Sequence, residues 1–176
     1  MLLYRRLRYG YPFCRIPLTQ GKFAIVDPDD FFRLSRHKWQ VKGDAKFYAT
    51  RAAPREKGKL RHILMHREIL NVPAGMVVDH INHNGLDNRK ANLRPATFAQ
   101  NAWSARRRRP SGYRGVSFDK RRRLWRATIS YCGKSKHLGH FKDKVKAAKA
   151  YDKAARKYHG DFASLNFPES TTNKHE

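Results

Sequence analysis

Short segments in which apolar and polar residues alternate recur along the chain and predict a fold that contains β-sheets. Alternation with a period of two, or a brief apolar run bounded by turn residues, is typical of strands. The clearest cases in the first half are the apolar run 22–26 and the two segments around the turn Lys42-Gly43-Asp44. The predicted strands cover residues 22–26, 39–41, 47–50, 77–81, 92–95, 113–118, 124–131 and 135–141.

Helix signals separate these strands at four places. Asp27 followed by Pro28 is typical of a helix start, with Asp27 accepting from free backbone N–H groups. Thr97 is predicted to cap a helix that includes Trp103, and residues 64–70 are predicted to form a short helix. The longest helix, 143–158, has an apolar stripe with lysines opposite. That stripe consists of Val145, Ala148, Tyr151, Ala155 and Tyr158.

The order of these elements predicts an α+β chain of two domains. Residues 1–104 mix strands and helices, and their part 76–104 has the order strand, loop, strand, helix. Residues 105–110 contain the run Arg-Arg-Arg-Arg-Pro and are predicted to be a basic linker. Residues 111–168 are predicted to form three antiparallel strands covered by one helix, the minimum that buries one face of a sheet. Residues 169–176 are predicted to form a tail.

The charge of the chain implies a polyanionic partner. Its 39 Lys and Arg against 14 Asp and Glu leave a formal net charge of +25, which repels itself in a compact state. Nucleic acid fits, because neutralising phosphates releases condensed counterions. A membrane is not favoured, since the sequence has no long apolar run and no signal-peptide pattern. Charge alone leaves DNA and RNA equally open.

The two cysteines exclude two kinds of site. Cys14 and Cys132 lie far apart and form no CxxC pair, so neither a thiolate zinc site nor a disulfide framework is predicted. We expect a soluble protein in a reducing compartment.

Asp, Asn and His are concentrated in residues 76–104. Asp79 and His80 are adjacent, Asn92 follows twelve positions after His80, and Asn101 nine positions after Asn92. Each of these features alone is ordinary: an Asp-His pair is usually a surface pair or a cap, and single asparagines usually form turns and caps. Their joint occurrence in register with the segments LDNR and NLR is much more specific.

The run VVDHINHNGLDNRKANLRPATFAQN, about 25 residues, resembles the His-Asn-His (HNH) homing endonucleases, especially the phage members. It is similar to the variant in which asparagine replaces the final histidine. The resemblance implies a ββα-metal fold, in which two strands and a helix grip one divalent cation. The segments before it, from IVDPDDFFRLSRHKWQ to LMHREIL, look like those that precede this module in phage proteins, so residues 1–104 are assigned to one nuclease domain.

The resemblance also implies a role for each residue. Asp79 and the side-chain oxygen of Asn101 would hold Mg²⁺ or Mn²⁺, hard cations that favour oxygen ligands. His80 would be the general base, because a neutral imidazole accepts a proton near pH 7. Asn92 would hold either that imidazole or the loop behind it. Asp79 and His80 point to opposite sides of a regular strand, so they can converge on one phosphate only where the strand ends.

Other polar residues of the first domain have weaker assignments. Arg67, Arg89 and Arg94 are candidates for contacts with DNA phosphates. His62 and His66 lie outside the motif, and each is interpreted as structural or phosphate-contacting.

The second domain is the most basic part of the chain. Residues 105–168 carry 19 Lys and Arg against 4 Asp. The series SGYRGV, LWRATI, HLGHF, AAKAYDKAARKYHG and LNFP resembles the plant Apetala-two (ethylene-response-factor) DNA-binding domain over about 58 residues. That family implies a three-stranded sheet in the major groove with the helix packed behind it.

Alternation along the second strand of this domain predicts its two faces. If Trp125, Ala127, Ile129 and Tyr131 pack on the helix, Arg126, Thr128 and Ser130 face outward. The candidate DNA contacts are Arg106, Arg107 and Arg108 of the linker, Arg114, which matches a DNA-contacting arginine of the plant family, Arg122 in the basic run 120–123, Arg126, Thr128, and His137, at a position where plant members often have tryptophan.

Together these observations predict a homing-type, metal-dependent DNA endonuclease that nicks duplex DNA as a monomer. We expect it to be encoded by a phage or mobile element and to act in the cytoplasm, on the nucleoid of a bacterial host. One alternative is a DNA-binding transcription regulator with an inactive nuclease module. The other is an RNA-binding protein, which would bind RNA more tightly than duplex DNA at equal salt.

Overall fold

Ten short strands and four α-helices make up the described part of the chain, so the fold class is α+β, as predicted. The computed structural model describes residues 8, 10–44, 46–56, 59–105 and 110–168. It divides into two units, Met1–Asn101 and Ala102–Glu176. In the described ranges no helix is both long enough and apolar enough to cross a membrane.

Three small antiparallel sheets form most of the first unit. β1 pairs with β2, β4 lies between β3 and β5, and β6 pairs with β7. The elements are β1 (Cys14–Pro17), β2 (Phe23–Val26), α1 (Pro28–Ser35), β3 (Gln40–Lys42), β4 (Tyr48–Glu56), β5 (Lys59–Leu64), α2 (Met65–Leu70), β6 (Val77–His80) and β7 (Leu93–Ala96). The next helix, α3 (Phe98–Ser104), begins in this unit and continues past its last residue, Asn101. β1 and β5 are not among the predicted strands.

The core of the first unit joins β1 and β2 to both of its first two helices. Its buried residues include Ile16, Val26, Leu34, Trp39 and Met65, all at most 3% exposed. These side chains come from segments far apart in sequence, so their burial fixes the first two sheets and α1 and α2 as one core.

The start of α1 is where the sequence predicts, but the role assigned to Asp27 is wrong. Asp27 is the N-cap and Pro28 the first helical residue, yet the Asp27 carboxylate makes no cap hydrogen bond. Its Oδ2 instead accepts from the backbone N of Lys90 at 2.8 Å. The carboxylate therefore binds a backbone N–H group 63 positions away and not the N–H groups of its own helix.

The second unit has the predicted three-stranded antiparallel sheet and one long helix. β9 lies between β10 and β8, and the turn between β9 and β10 places Cys132 and Gly133 at φ of 49° and 72°, the conformation that tight hairpin turns need. Asp143 caps the helix by accepting from the backbone N of Lys146 at 2.8 Å. The elements are β8 (Val116–Asp119), β9 (Leu124–Tyr131), β10 (Lys134–Phe141) and α4 (Lys144–His159).

The predicted faces of β9 are confirmed except at its end. Ala127 and Ile129 are buried against α4, whereas Tyr131 is 40% exposed, so its predicted place in the core is wrong. β8 also begins later than residue 113, the predicted start. The backbone first turns at Gly115, where φ is +70°.

Gly115 provides a stability test for the second unit. A Cβ at this position would overlap the ring of Tyr151, and the positive φ is strained for any L side chain. We expect Gly115→Ala to lower the free energy of unfolding by about 3 kcal/mol, because overpacking adds to backbone strain. Gly133→Ala is the matched control: its φ is +72°, with nothing within 4 Å of the added Cβ. Chemical denaturation of both variants should show a clear excess loss for Gly115→Ala, and equal losses would contradict the packing argument.

Candidate functional site

The predicted catalytic residues lie on a hairpin that leads into a helix. β6 ends at His80, and Asp79 pairs across the hairpin with Arg94 of β7. α3 then begins with a reciprocal cap. The backbone N of Gln100 donates to Oγ1 of Thr97 at 3.2 Å, and the backbone N of Thr97 donates to Oε1 of Gln100 at 2.8 Å. This capping box confirms the predicted role of Thr97 and sets where the helix starts.

The loop between β6 and β7 is held together by its own side chains. The carboxylate of Asp87 accepts from Nδ2 of Asn82 at 2.8 Å and from Nε and Nη2 of Arg89 at 2.8 and 2.6 Å. Oδ1 of Asn92 accepts from the backbone N of Asn82 at 3.0 Å, and its Nδ2 donates to the carbonyl of Asp87 at 2.7 Å. Of the two roles predicted for Asn92, the structure therefore supports the one that holds the loop.

The same loop is attached to β2. The backbone N of Ile25 donates to the carbonyl of Leu86 at 2.8 Å, and the backbone N of Asn88 donates to the carbonyl of Ile25 at 2.7 Å. With the bond from Lys90 to Asp27, the N-terminal segment fixes the loop at three points.

Asp79 is buried and already compensated by a cation. It is 5% exposed, and its Oδ2 accepts from Nε and Nη2 of Arg94 at 2.9 and 2.6 Å. A carboxylate at this depth requires a positive partner. That partner is present in the Arg94 guanidinium, with which a metal ion would compete for the same oxygen.

His80, also 5% exposed, is surrounded by rings and one amide. The centroid of its ring is 5.0 Å from that of His66, in an edge-to-face arrangement at 88°, and 5.8 Å from that of Tyr48. Its Nε2 lies 3.4 Å from Oδ1 of Asn88. These contacts fix the plane of the imidazole.

Burial keeps both histidines neutral. Desolvation lowers the pKa of His66 to about 3, with help from His80 and Arg67. Desolvation also lowers the pKa of His80, although the Asn88 contact and the charges of Asp79 and Asp87 act in the opposite direction. A neutral imidazole is the form that can accept a proton.

Three residues that surround His80 were not predicted from the sequence to belong to the catalytic site. His66 was interpreted as structural or phosphate-contacting, and Tyr48 and Asn88 had no separate role. Only the LDNR segment, which contains Asn88, was a signal. Tyr48 in turn packs against Gly85, where an added Cβ would overlap both the Tyr48 ring and the carbonyl of Phe47.

The predicted metal ligands are oxygen donors. Asn101 lies half-buried on α3, and its backbone N donates to the carbonyl of Thr97 at 3.0 Å. Within the described ranges no group of three or more His, Cys, Asp and Glu could hold a metal ion. The assignment of the Asp79 carboxylate and the Asn101 amide as metal ligands stays a prediction.

Three arginines of the first unit, predicted to contact phosphate, have partners within the protein. Nη1 of Arg67 donates to the carbonyl of Met76 at 2.8 Å, and Arg94 pairs with Asp79. Arg89 lies against Asp87, with its guanidinium carbon 3.8 Å from the ring centroid of Tyr11. These contacts favour a structural contribution from each, most strongly for Arg89.

Among the candidate DNA-contacting residues of the second unit, some have partners within the protein and others are exposed. The guanidinium of Arg114 donates to Tyr151 Oη at 2.7 Å and to the carbonyls of Ala102 and Ala105, so the structure favours a structural role over direct DNA contact. Nη1 of Arg122 lies 3.3 Å from Nδ1 of His140. Arg126 and His137 are exposed and Thr128 is half-buried. Arg106, Arg107 and Arg108 lie outside the described residues.

Comparison with known proteins identifies two kinds of relative. The family model described as HNH endonuclease matches residues 60–103. Protein 3.8 of Escherichia phage T7 is 33% identical over 94 residues, 52% of this chain and 77% of that protein. The uncharacterized HNH endonuclease L560 of Acanthamoeba polyphaga mimivirus is 28% identical over 151 residues, 84% of this chain and 76% of that protein.

The second kind of relative is a plant protein. APETALA2-like protein 2 of Oryza sativa subsp. indica is 48% identical over 61 residues, which is 35% of this chain but only 14% of the plant protein. No solved structure matches the chain.

Proposed function

The chain belongs to the HNH endonuclease family and carries a C-terminal domain similar to Apetala-two, and on that premise we propose that it is a divalent-metal-dependent enzyme that nicks duplex DNA. The observation that carries the proposal is the buried His80 at the end of β6, next to the buried carboxylate of Asp79. The nuclease domain is assigned to residues 1–104 and the DNA-docking domain to residues 111–168.

His80 acts as the general base. It takes a proton from the water that attacks phosphorus, the bond from phosphorus to the 3′ oxygen breaks, and that oxygen leaves with a proton from solvent. Asn92 maintains the loop that supports this histidine, through its bonds to Asn82 and Asp87.

Asp79 and Asn101 are the proposed holders of Mg²⁺ or Mn²⁺. Their donor atoms are oxygens, which fits a hard cation, and so small a protein donor set suits Mg²⁺, which retains several waters and binds substrate phosphate. When bound, the ion supplies Lewis-acid stabilisation of the phosphate and of the leaving oxygen. The Arg94 guanidinium occupies Oδ2 of Asp79, so an ion held through that oxygen would have to displace it.

The second domain provides affinity and register. Arg126 and Thr128 alternate with the buried Ala127 and Ile129 along β9, so they lie on the face of the sheet away from α4. Phosphate contacts from exposed cations supply binding, and side chains of this face supply modest sequence choice. The function is that of a homing-type enzyme from a phage or mobile element, acting on the host nucleoid.

Supercoiled plasmid provides the direct test of metal dependence and nicking. With Mg²⁺ or Mn²⁺ we expect nicked circles to accumulate before linear DNA, because one nuclease module has one candidate metal site. With EDTA we expect cleavage to stop while binding to duplex DNA, measured by gel shift, persists. Cleavage that is undiminished in EDTA would contradict the proposed metal dependence. Metal-independent binding without any cleavage would favour a transcription regulator, and tighter binding to RNA at equal salt would favour an RNA-binding protein.

A further inference from the structure

The imidazole of His80 faces the side-chain amide of Asn88. Nε2 of His80 lies 3.4 Å from Oδ1 of Asn88. This separation is long for a hydrogen bond, but such bonds at catalytic groups commonly shorten only when substrate binds. Two further neighbours, His66 and Tyr48, pack against it as rings.

Asn88 is deeply buried, and its side-chain Nδ2 has no hydrogen-bond partner among the described residues. It is 1% exposed and is one of the largest fully buried side chains. Its backbone N donates to the carbonyl of Ile25 at 2.7 Å, and the preceding residue, Asp87, pairs with Arg89. An amide buried this deeply has little freedom to follow the imidazole, so it is suited to impose an orientation on that ring.

We propose that Asn88 is a positioning residue that holds His80 in the tautomer protonated on Nε2. An amide oxygen has no hydrogen to donate, so the ring nitrogen facing it must carry one. The other nitrogen, Nδ1, then has the free lone pair and takes the proton from the attacking water. The imidazolium that forms retains its Nε2–H bond to Asn88. The inference rests on the proposed role of His80 as general base and names the nitrogen that acts.

Asn92 does not account for the tautomer. Its side-chain oxygen accepts from the backbone N of Asn82, and its side-chain nitrogen donates to the carbonyl of Asp87. Asn92 therefore acts on the loop, whereas Asn88 acts on the ring. The ring of His66 packs edge-to-face on that of His80 and confines its plane.

Two-bond ¹⁵N–¹H correlation spectra of the full chain, labelled at its histidines, test the tautomer without reference to cleavage. The signals of His80 are identified by their loss in His80→Ala. We expect the Nε2–H form of neutral His80 in the native protein. Asn88→Leu, which keeps the bulk but removes the acceptor, should lose this preference, and Asn84→Ala in the same loop should keep it. An Nδ1–H form, or no preference, in the native protein would overturn the inference.

Cleavage kinetics provide the second readout. We expect Asn88→Leu to lower kcat by roughly 10- to 100-fold with KM within about twofold, because orientation of a base is lost while DNA contacts remain. Asn88→Asp retains an acceptor and should keep both the Nε2–H form and a kcat within about tenfold of the native value. Native kcat in a folded Asn88→Leu would contradict the inference, as would loss of the Nε2–H form in a folded Asn88→Asp.

The two readouts separate this inference from the proposed function. If His80→Ala cleaves as fast as the native enzyme, the proposed base is wrong, yet the tautomer of His80 in the native protein is still measured. If instead His80→Ala is inactive and the native ring is protonated on Nδ1, His80 remains the proposed general base and the proposed role of Asn88 is wrong.

Discussion

Replacing His80 by alanine is expected to slow DNA cleavage by about three orders of magnitude, because a general base contributes roughly 10²- to 10⁴-fold to the rate. The imidazole is 5% exposed and lies among Tyr48, His66 and Asn88. A water molecule that replaced the lost ring would have neither its basicity nor its fixed position. Binding to duplex DNA should change by less than about twofold, since the role is confined to the transition state.

Asp79→Ala is the companion variant and should abolish cleavage. It removes the proposed metal ligand but leaves Arg94 without its carboxylate partner, so thermal unfolding must show that the protein remains folded at the assay temperature. Single-turnover cleavage with enzyme in excess, together with gel-shift titration, separates chemistry from binding.

His37→Ala is the matched control for the loss of a histidine. His37 belongs to the same unit, is exposed, and contacts Trp39, far in sequence from the β6–β7 hairpin. We expect native cleavage from this variant. If His80→Ala cleaves DNA at the native rate while His37→Ala behaves normally, a base other than His80 must be active.

The affinity for duplex DNA is expected to fall by about 10³-fold or more between 50 and 200 mM monovalent salt. This is the loss typical of a protein that contacts 6–10 phosphates. The net charge of +25, with exposed cations throughout the basic run 120–123, makes a footprint of that size reasonable. Fluorescence anisotropy at several salt concentrations gives the slope of log K against log salt.

Single charge removals locate the DNA-binding face. If Arg126 on β9 binds phosphate, Arg126→Ala should reduce the slope of log K against log salt by about the amount that one phosphate contact contributes. Lys153→Ala on the exposed side of α4 removes the same charge and should leave the slope nearly unchanged. Equal effects would show that the two positions contribute only through net charge, and a larger effect at Lys153 would place DNA on the helix.

Several features of the protein follow from local sequence. Residues close together in the chain determine the capping box at Thr97 and Gln100, the hairpin turn at Cys132 and Gly133, and the alternation along β9. Capping and turn geometry depend on neighbours within about four positions, and burial of one sheet face follows the period of two. β1 was not predicted, because its four residues show little alternation of apolar and polar side chains.

The tertiary structure alone determined which polar groups meet. Asp27 was predicted to cap its own helix but accepts from Lys90, and Asn88 rather than Asn92 faces the ring of His80. Arg89 and Arg114, expected on DNA, donate to groups within the protein. In each case the partner was selected by the path of the backbone and the cost of leaving a buried polar group unpaired. Neither is set by residues nearby in the sequence, so the sequence identified the chemical groups of the site and only the folded chain could pair them.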